Sequence, residues 1–263
     1  MINNYDDRPI APLFSIITVT YNAAATLPRT LASVKAQSCK LYEHLIIDGC
    51  STDATLQLAK EADIPQMKIH SGKDGGIYDA MNKGLGMAQG EYVIFLNAGD
   101  AFHSPDTLQK VADAVMDNDF PGIVYGQTDI VDINGIRLGD RHLHAPSELT
   151  LDSFRDGMVV CHQAFIVLRR ITAPYNLKYR YSADYDWCIR CLQHSRRNVY
   201  IDDVLIDYLN EGLTTANRRK SLKERFNVMC YYYGTFPTLV RHIGFFFRRL
   251  RQARIEKQQS RKN

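Results

Sequence analysis

The chain predicts an α/β fold, a mostly parallel twisted sheet flanked by helices, with a helical C-terminal tail. Two observations carry this. Over the first hundred residues, β-rich apolar runs alternate with segments whose apolar residues recur at helical spacing. Strand alternating with helix implies right-handed crossovers and helices on both sheet faces. In addition, 263 residues at 45% hydrophobic and 23% charged content suit one large α/β domain or two modest ones, with ample core.

The elements follow in order. "LFSIITVTYN" reads as a strand, and "LPRTLASVKAQS" as a helix with Leu27, Leu31 and Val34 on one face. "YEHLIID" is a second strand, "TDATLQLAKEA" a helix and "QMKIHS" a short strand. "GGIYDAMNKGLGMAQG" is a helix ending in glycine, and "EYVIFLN" the strand after it. Beyond Pro105 the pattern loosens. "GIVYGQTDIVDINGIR" predicts a hairpin around an Asn-Gly turn, "VVCHQAFIVLRR" a strand, and "SADYDWCIRCLQHS" a helix with Ser182 as N-cap. "RNVYIDDVLIDYLN" gives two short strand-like runs. With no repeat or long linker, one domain spans 1–215 and a basic helical tail spans 216–263.

Several classes are excluded. No G-x-G-x-x-G follows the first strand and no G-x-x-x-x-G-K-[ST] occurs, which argues against dinucleotide oxidoreductases and P-loop enzymes. No opening stretch reads as a signal peptide, and six scattered cysteines suggest reduced thiols, so a cytoplasmic location is expected. "CIRC" is a lone C-x-x-C inside a predicted helix, better read as core thiols than as zinc ligands.

In parallel sheets the ligand crevice lies beyond the carboxyl ends of the strands. The residues to examine there are Thr20, Tyr21 and Asn22, Asp48, Asp74, and Asn97 with Asp100. Each has a bland alternative: Asp53 caps a helix, Asp79 complements a helix dipole, and Asn97–Asp100 is a strand-ending turn.

"TVTYN", "IIDGCSTDAT", "DGGIYDAMNKGLGMAQGEYVIFLNAGD" and "CHQAFIVLRR…YSADYDWCIR" occur in an order and spacing that resembles family 2 glycosyltransferases, over roughly residues 13 to 210. The resemblance implies a Rossmann-like GT-A fold and inverting transfer of a sugar from a nucleotide-sugar donor, a UDP-sugar, to an acceptor hydroxyl. It also implies a glycan or lipid-linked acceptor in surface-polysaccharide synthesis. By analogy Thr20 and Tyr21 lie near the nucleoside, Asp48 reads the base, Asp74 lies on the donor side, Asn97 binds the ribose, and Asp100 holds a divalent Mn or Mg ion. Such a metal offsets charge on the departing diphosphate. The usual D-x-D pattern is reduced here, with Asn97 first and Gly99 at the next acidic position. Asp184 in "SADYDWCIR" matches the family's base, with Asp186 as fallback and Ala183 where an acid is usual. His162 is a weaker candidate near acceptor or metal. The alternative is a catalytically impaired nucleotide-sugar-binding or membrane-scaffold protein.

In the tail, Leu239, Val240, Ile243, Phe246, Phe247 and Leu250 share one helical face, opposite Arg241, Arg248, Arg249, Arg251 and Gln252. A basic amphipathic helix over 239–254 suggests contact with the inner face of a membrane, with docking on the domain or on a second copy in a homodimer as the alternatives. No motif supports nucleic-acid binding.

Overall fold

The computed structural model describes residues 11–210 and 217–244. Its first four strands are β1 (Phe14–Thr20), β2 (Tyr42–Asp48), β3 (Met67–Ser71) and β4 (Tyr92–Phe95), all parallel in the order β3-β2-β1-β4. Between them run α1 (Leu27–Lys35), α2 (Thr55–Glu61) and α3 (Ile77–Met87). Every residue of β1 and β2 is buried, as a sheet covered on both faces requires. Alternate side chains divide between two cores. Ile17, Leu45 and Phe95 pack under α3 and α5 (Ala183–His194), and Ile16, Ile46 and Ile94 pack under α1 and α4 (Thr107–Asp117). Helix α3 lies close on the sheet because residue 84 is glycine; a methyl there would sit 2.5 Å from Ile17.

The second half adds β5 (Ala101–Phe102), β6 (Ile123–Val131), β7 (Arg137–Asp140), β8 (Phe165–Leu168) and β9 (Asn198–Leu209). Strand β8 runs antiparallel between β4 and β6, whereas β9 lies parallel to β6 and antiparallel to β5. The parallel character therefore resides in β1–β4 and the β6–β9 pair. The expected hairpin is present: β6 and β7 are antiparallel, and the Gly135 N–H closes the turn on the Asp132 carbonyl at 3.0 Å.

Four local expectations change. Helix α4 was not anticipated, although Leu108, Val111, Ala112 and Val115 are buried at helical spacing. In "VVCHQAFIVLRR" only Phe165–Leu168 is strand, because the Ala164 N–H bonds the Cys161 carbonyl at 3.0 Å and winds His162–Ala164 into a 3-10 turn. The two runs at 198–209 form one strand, whose extra residues around Asp202 and Asp203 are absorbed as a register shift against Gly126. Ser182 occupies the N-cap position of α5 without capping it. Its hydroxyl donates to the Ser221 carbonyl at 3.1 Å.

That bond reaches α6 (Arg218–Tyr233), which also supplies Glu224. Its carboxylate accepts the backbone N–H groups of Arg180, Tyr181 and Ser182 at 3.0, 2.7 and 3.1 Å. Val228 and Met229 of α6 join the core that holds α3 and α5. A last helix, α7, covers 235–244. The expected boundary at 215–216 and the tail residues from 245 onward, including Phe246, Phe247, Leu250 and Arg248, lie outside the described residues. Among the described residues no helix is long and apolar enough to cross a membrane. Cys188 and Cys191 are buried and unpaired, as core thiols would be.

Candidate active site

The carboxyl edge of the parallel block is organised by one buried acid. Thr20, Asp48 and Ser71 occupy one row across β1, β2 and β3. Asp48 is 1% exposed and accepts from the Thr20 hydroxyl at 3.1 Å, the Ser71 hydroxyl at 2.7 Å, and the Ser51 N–H at 3.0 Å. Burial pushes its carboxyl up, but the bonds from Ser51, Ser71 and Thr20 outweigh it and hold the group below the usual carboxylate range. This cross-link stands where the sequence places a base-reading acid, Asp48, and a donor contact, Thr20.

Above the cross-link Tyr21, Gly49 and Asp74 converge. Tyr21 is well exposed beyond β1. A methyl on Gly49 would lie 2.5 Å from Asp74 Oδ2 and 3.4 Å from the Tyr21 ring, so the missing side chain lets these two groups converge. Asp74 Oδ1 accepts the Gly76 N–H at 2.9 Å, just before α3. Neighbouring acids have local duties. Asp79 accepts the Gly75 N–H at 2.9 Å and pairs with Lys83 at 3.1 Å, and Asp53 accepts from the N–H groups of Thr55 and Ala24 at 3.0 Å.

The first turn of α3 also meets α5. The Tyr78 hydroxyl donates to Asp184 Oδ1 at 3.1 Å, and the same oxygen accepts the Tyr185 N–H at 2.9 Å. Asp184 is half-buried, and no described residue donates to its Oδ2. Asp186, the fallback, is buried, with Arg190 on one oxygen and the Tyr232 hydroxyl on the other, each at 2.9 Å. It is a packing acid. Burial lowers the His162 pKa to about 4, against the pull of nearby Asp184, so the ring is neutral. Its Nε2 shares a hydrogen bond of 2.6 Å with the Tyr175 hydroxyl, and the ring stacks on Phe95. Tyr175 is in turn stacked on Tyr78 and Trp187.

At the end of β4, Asn97 Oδ1 is buried and has no hydrogen-bond partner among the described residues, an acceptor left open for a donor group. Asp100 is different. It is 4% exposed, and its oxygens accept the Leu209 N–H at 2.9 Å and the Gln163 amide at 2.8 Å. Burial raises its pKa to about 7, against those two bonds and the Arg29 charge. The neighbouring position, Gly99, has no ligand to offer and is crowded by Leu209. These residues do not fit a carboxylate-held dication, which needs an ionised oxygen facing the cleft. Where the sequence places a metal ligand, the structure gives Asp100 two protein donors. The residue ties the β4 end to β9 and to the turn before β8.

One other group deserves comparison with a metal centre. His103, Asp129 and Asp207 bring one ligand atom each within 4.8 Å of one another. Arg29 already reaches Asp207 at 3.4 Å, and Arg137 reaches Asp129 at 2.6 Å, so the cluster's charge is offset by protein.

Sequence reasoning passed over Tyr78, Gly49 and Gln163. The motif "GGIYDAMNKG" contains Tyr78, but its partner lies 106 residues away, and no local signal connects the two.

Comparison with known proteins bears on this geometry. The model of the family described as "Glycosyl transferase family 2" matches residues 15–173. A "PGL/p-HBAD biosynthesis glycosyltransferase" of Mycobacterium bovis is 38% identical over 224 residues, covering 82% of this chain and 84% of the relative. Among solved structures, S. aureus TarS 1-349 in complex with UDP-GlcNAc superposes with a TM-score of 0.66 at 21% identity, over 82% of this chain and 64% of that one. The mannosyltransferase PcManGT from Pyrobaculum calidifontis, in complex with GDP-Man and Mn2+, gives 0.61 at 17% identity, over 83% and 64%. These two likenesses show the fold, a GT-A-like sheet flanked by helices. With the family model spanning more than half its length, the chain belongs to glycosyl transferase family 2 and is a glycosyltransferase.

Proposed function

We propose that this enzyme moves a sugar, with inversion, from a UDP-sugar to a hydroxyl of a glycan or lipid-linked acceptor at the cytoplasmic side of a membrane. The observation that carries the reading is Asp184: a half-buried carboxylate anchored through Oδ1, with no donor to Oδ2 among the described residues. In this reading Oδ2 takes the proton of the acceptor hydroxyl as that oxygen bonds the anomeric carbon. The bond from the anomeric carbon to the diphosphate breaks, and the nucleoside diphosphate leaves.

The donor side rests on the convergence of Tyr21, Gly49 and Asp74 and on Asn97. Tyr21 offers a ring face to the base, Asp74 Oδ2 an acceptor for a base N–H, and Asn97 Oδ1 an acceptor for a ribose hydroxyl. The UDP-GlcNAc bound to TarS supports a uridine donor. The α3 N-terminus lies between Asp74 and Tyr78, and its partial positive charge favours a phosphate there. No step is routed through a metal, because the donor set at Asn97–Asp100 does not fit one. Six unpaired cysteines support a reducing compartment.

The test is a thermal-shift and transfer screen of nucleotide-sugars. A UDP-sugar is expected to raise Tm and to be converted with inverted stereochemistry. Asp184→Asn is expected to bind that donor and fail to transfer it. Retained configuration, or full activity of Asp184→Asn, overturns the reading.

A further inference from the structure

Helix α7 is amphipathic and lies on the domain with its polar face inward. Arg241 makes a two-pronged ion pair with Asp156, Nε to Oδ1 at 3.0 Å and the second nitrogen to Oδ2 at 2.9 Å. Thr238 is buried, and the His242 ring packs edge-on against Phe226 of α6 at 5.1 Å. The opposite face carries Phe236, Leu239, Val240 and Ile243, spaced i, i+3, i+4, i+7. They are 77, 47, 54 and 57% exposed. Water therefore meets the apolar stripe, and protein meets the polar one. In a helix whose burial was driven by its own domain the order would be reversed.

We infer that this face is an interaction surface for an anionic lipid bilayer. What covers the stripe is indicated by the chain that continues from it. Residues 245–263 lie outside the described residues, and their sequence opens with Phe245, Phe246 and Phe247. It then carries seven basic residues, among them Arg248, Arg249, Arg251 and Arg254, against the single acid Glu256. An apolar stripe continued by aromatic residues and then by a dense cationic segment matches the interface of a negatively charged membrane, where phenylalanine enters the acyl boundary and arginine meets headgroup phosphate. A second copy of the chain is a poorer occupant, because α7 carries no acid to meet the cationic run that follows it in sequence. The inward ion pair makes the surface available: Arg241–Asp156 fixes which face of α7 is presented.

The experiment is co-sedimentation of the full chain with vesicles of phosphatidylcholine alone and of phosphatidylcholine with 30% phosphatidylglycerol, roughly the anionic content at which basic segments bind. The bound fraction is expected to rise at least about tenfold with the anionic lipid and to fall with added salt. The double variant Phe236→Asp, Ile243→Asp should lose about tenfold or more of that binding while keeping its Tm, because both side chains are already exposed. A bound fraction equal on both vesicles, or undiminished in the variant, overturns the inference. So does a wild-type dimer, measured by light scattering, that the same double variant converts to monomer, since a second copy then covers the stripe. If the variant loses Tm as well, Arg241→Gln with the apolar residues intact serves instead. Releasing α7 should then alter vesicle binding at constant core stability, and unchanged binding counts against the inference.

Discussion

The Tyr78 hydroxyl and Asp184 Oδ1 meet at 3.1 Å, joining the first turn of α3 to the first turn of α5. Tyr78 is buried, and burial followed by the Asp184 charge drives its own ionisation well above the ordinary phenol range, so it acts as a hydrogen-bond donor throughout physiological pH. The bond leaves one carboxylate oxygen for chemistry and orients it. Tyr78 is thus a positioning residue for the proposed base. Tyr78→Phe is expected to lower kcat about tenfold with donor KM unchanged, as the carboxylate loses the donor that orients it. A donor KM that rises along with the fall in kcat would mark a merely structural loss.

Asp184→Asn should reduce kcat by about a thousandfold, the range associated with removing a general base, with donor affinity retained. Isothermal titration with the donor separates the two quantities. Asp186→Asn should act on stability instead, because it weakens the pairs with Arg190 and Tyr232.

At Gly49 an added methyl would overlap Asp74 Oδ2. Gly49→Ala is expected to raise donor KM about tenfold or more, with kcat at saturation little changed, since the clash lies on the binding side of the site. Donor titration checks it. An unchanged KM would place the nucleoside elsewhere.

Asp100 answers a question about cations. Asp100→Ala leaves the Leu209 N–H and the Gln163 amide without their buried acceptor and should cost about 2–4 kcal/mol of stability. Donor affinity measured with and without a chelator should not differ at the protein's own carboxylates. A chelator effect that Asp100→Asn abolishes would restore the metal role.

Stability should depend on pH through three buried groups. Burial lowers the pKa of His44 to about 3 and of His162 to about 4. Below pH 6.5 the unfolded chain takes up protons there that the folded chain refuses, so the stability they give above 6.5 is lost as pH falls toward 4. Asp100 has the opposite sign. Its folded pKa is raised to about 7, so its contribution is full below the ordinary carboxylate value of 3.8 and is lost as pH rises through 7. Between pH 7 and 5 the histidines remove about 2 kcal/mol each, and Asp100 restores about 2. Asp100→Asn should therefore steepen the acid loss by about that amount in denaturant titrations at pH 5, 6 and 7. Parallel pH slopes for both proteins would refute this.

Much of the parallel block was legible, because each crossover writes its own period into a short window. Residues 14–95 show it clearly. Helix α4 carries the same kind of period in Leu108, Val111, Ala112 and Val115. Elsewhere the sequence could not supply the answer. Asp48 and Asp100 look alike as acids after strands. What distinguishes them is a set of donors on other elements: Ser71 for one, Leu209 and Gln163 for the other. The Asp202-Asp203 pair broke the apolar pattern of β9, so one strand read as two. Such pairings depend on the closed sheet and leave no local trace.

Asn82 carries a further consequence. Its side chain donates to the Tyr175 carbonyl at 3.1 Å and accepts the Tyr175 N–H at 2.6 Å, clasping mid-α3 to the segment that leads into α5. Together with Tyr78 and Asp184 this makes two clasps on one helix. Two points of attachment remove the hinge that a single one would allow. The helix whose tip adjoins Asp74 and the helix that bears Asp184 are therefore held in one fixed register. In the proposed reaction, that register sets the span between the donor side and the base before either substrate arrives.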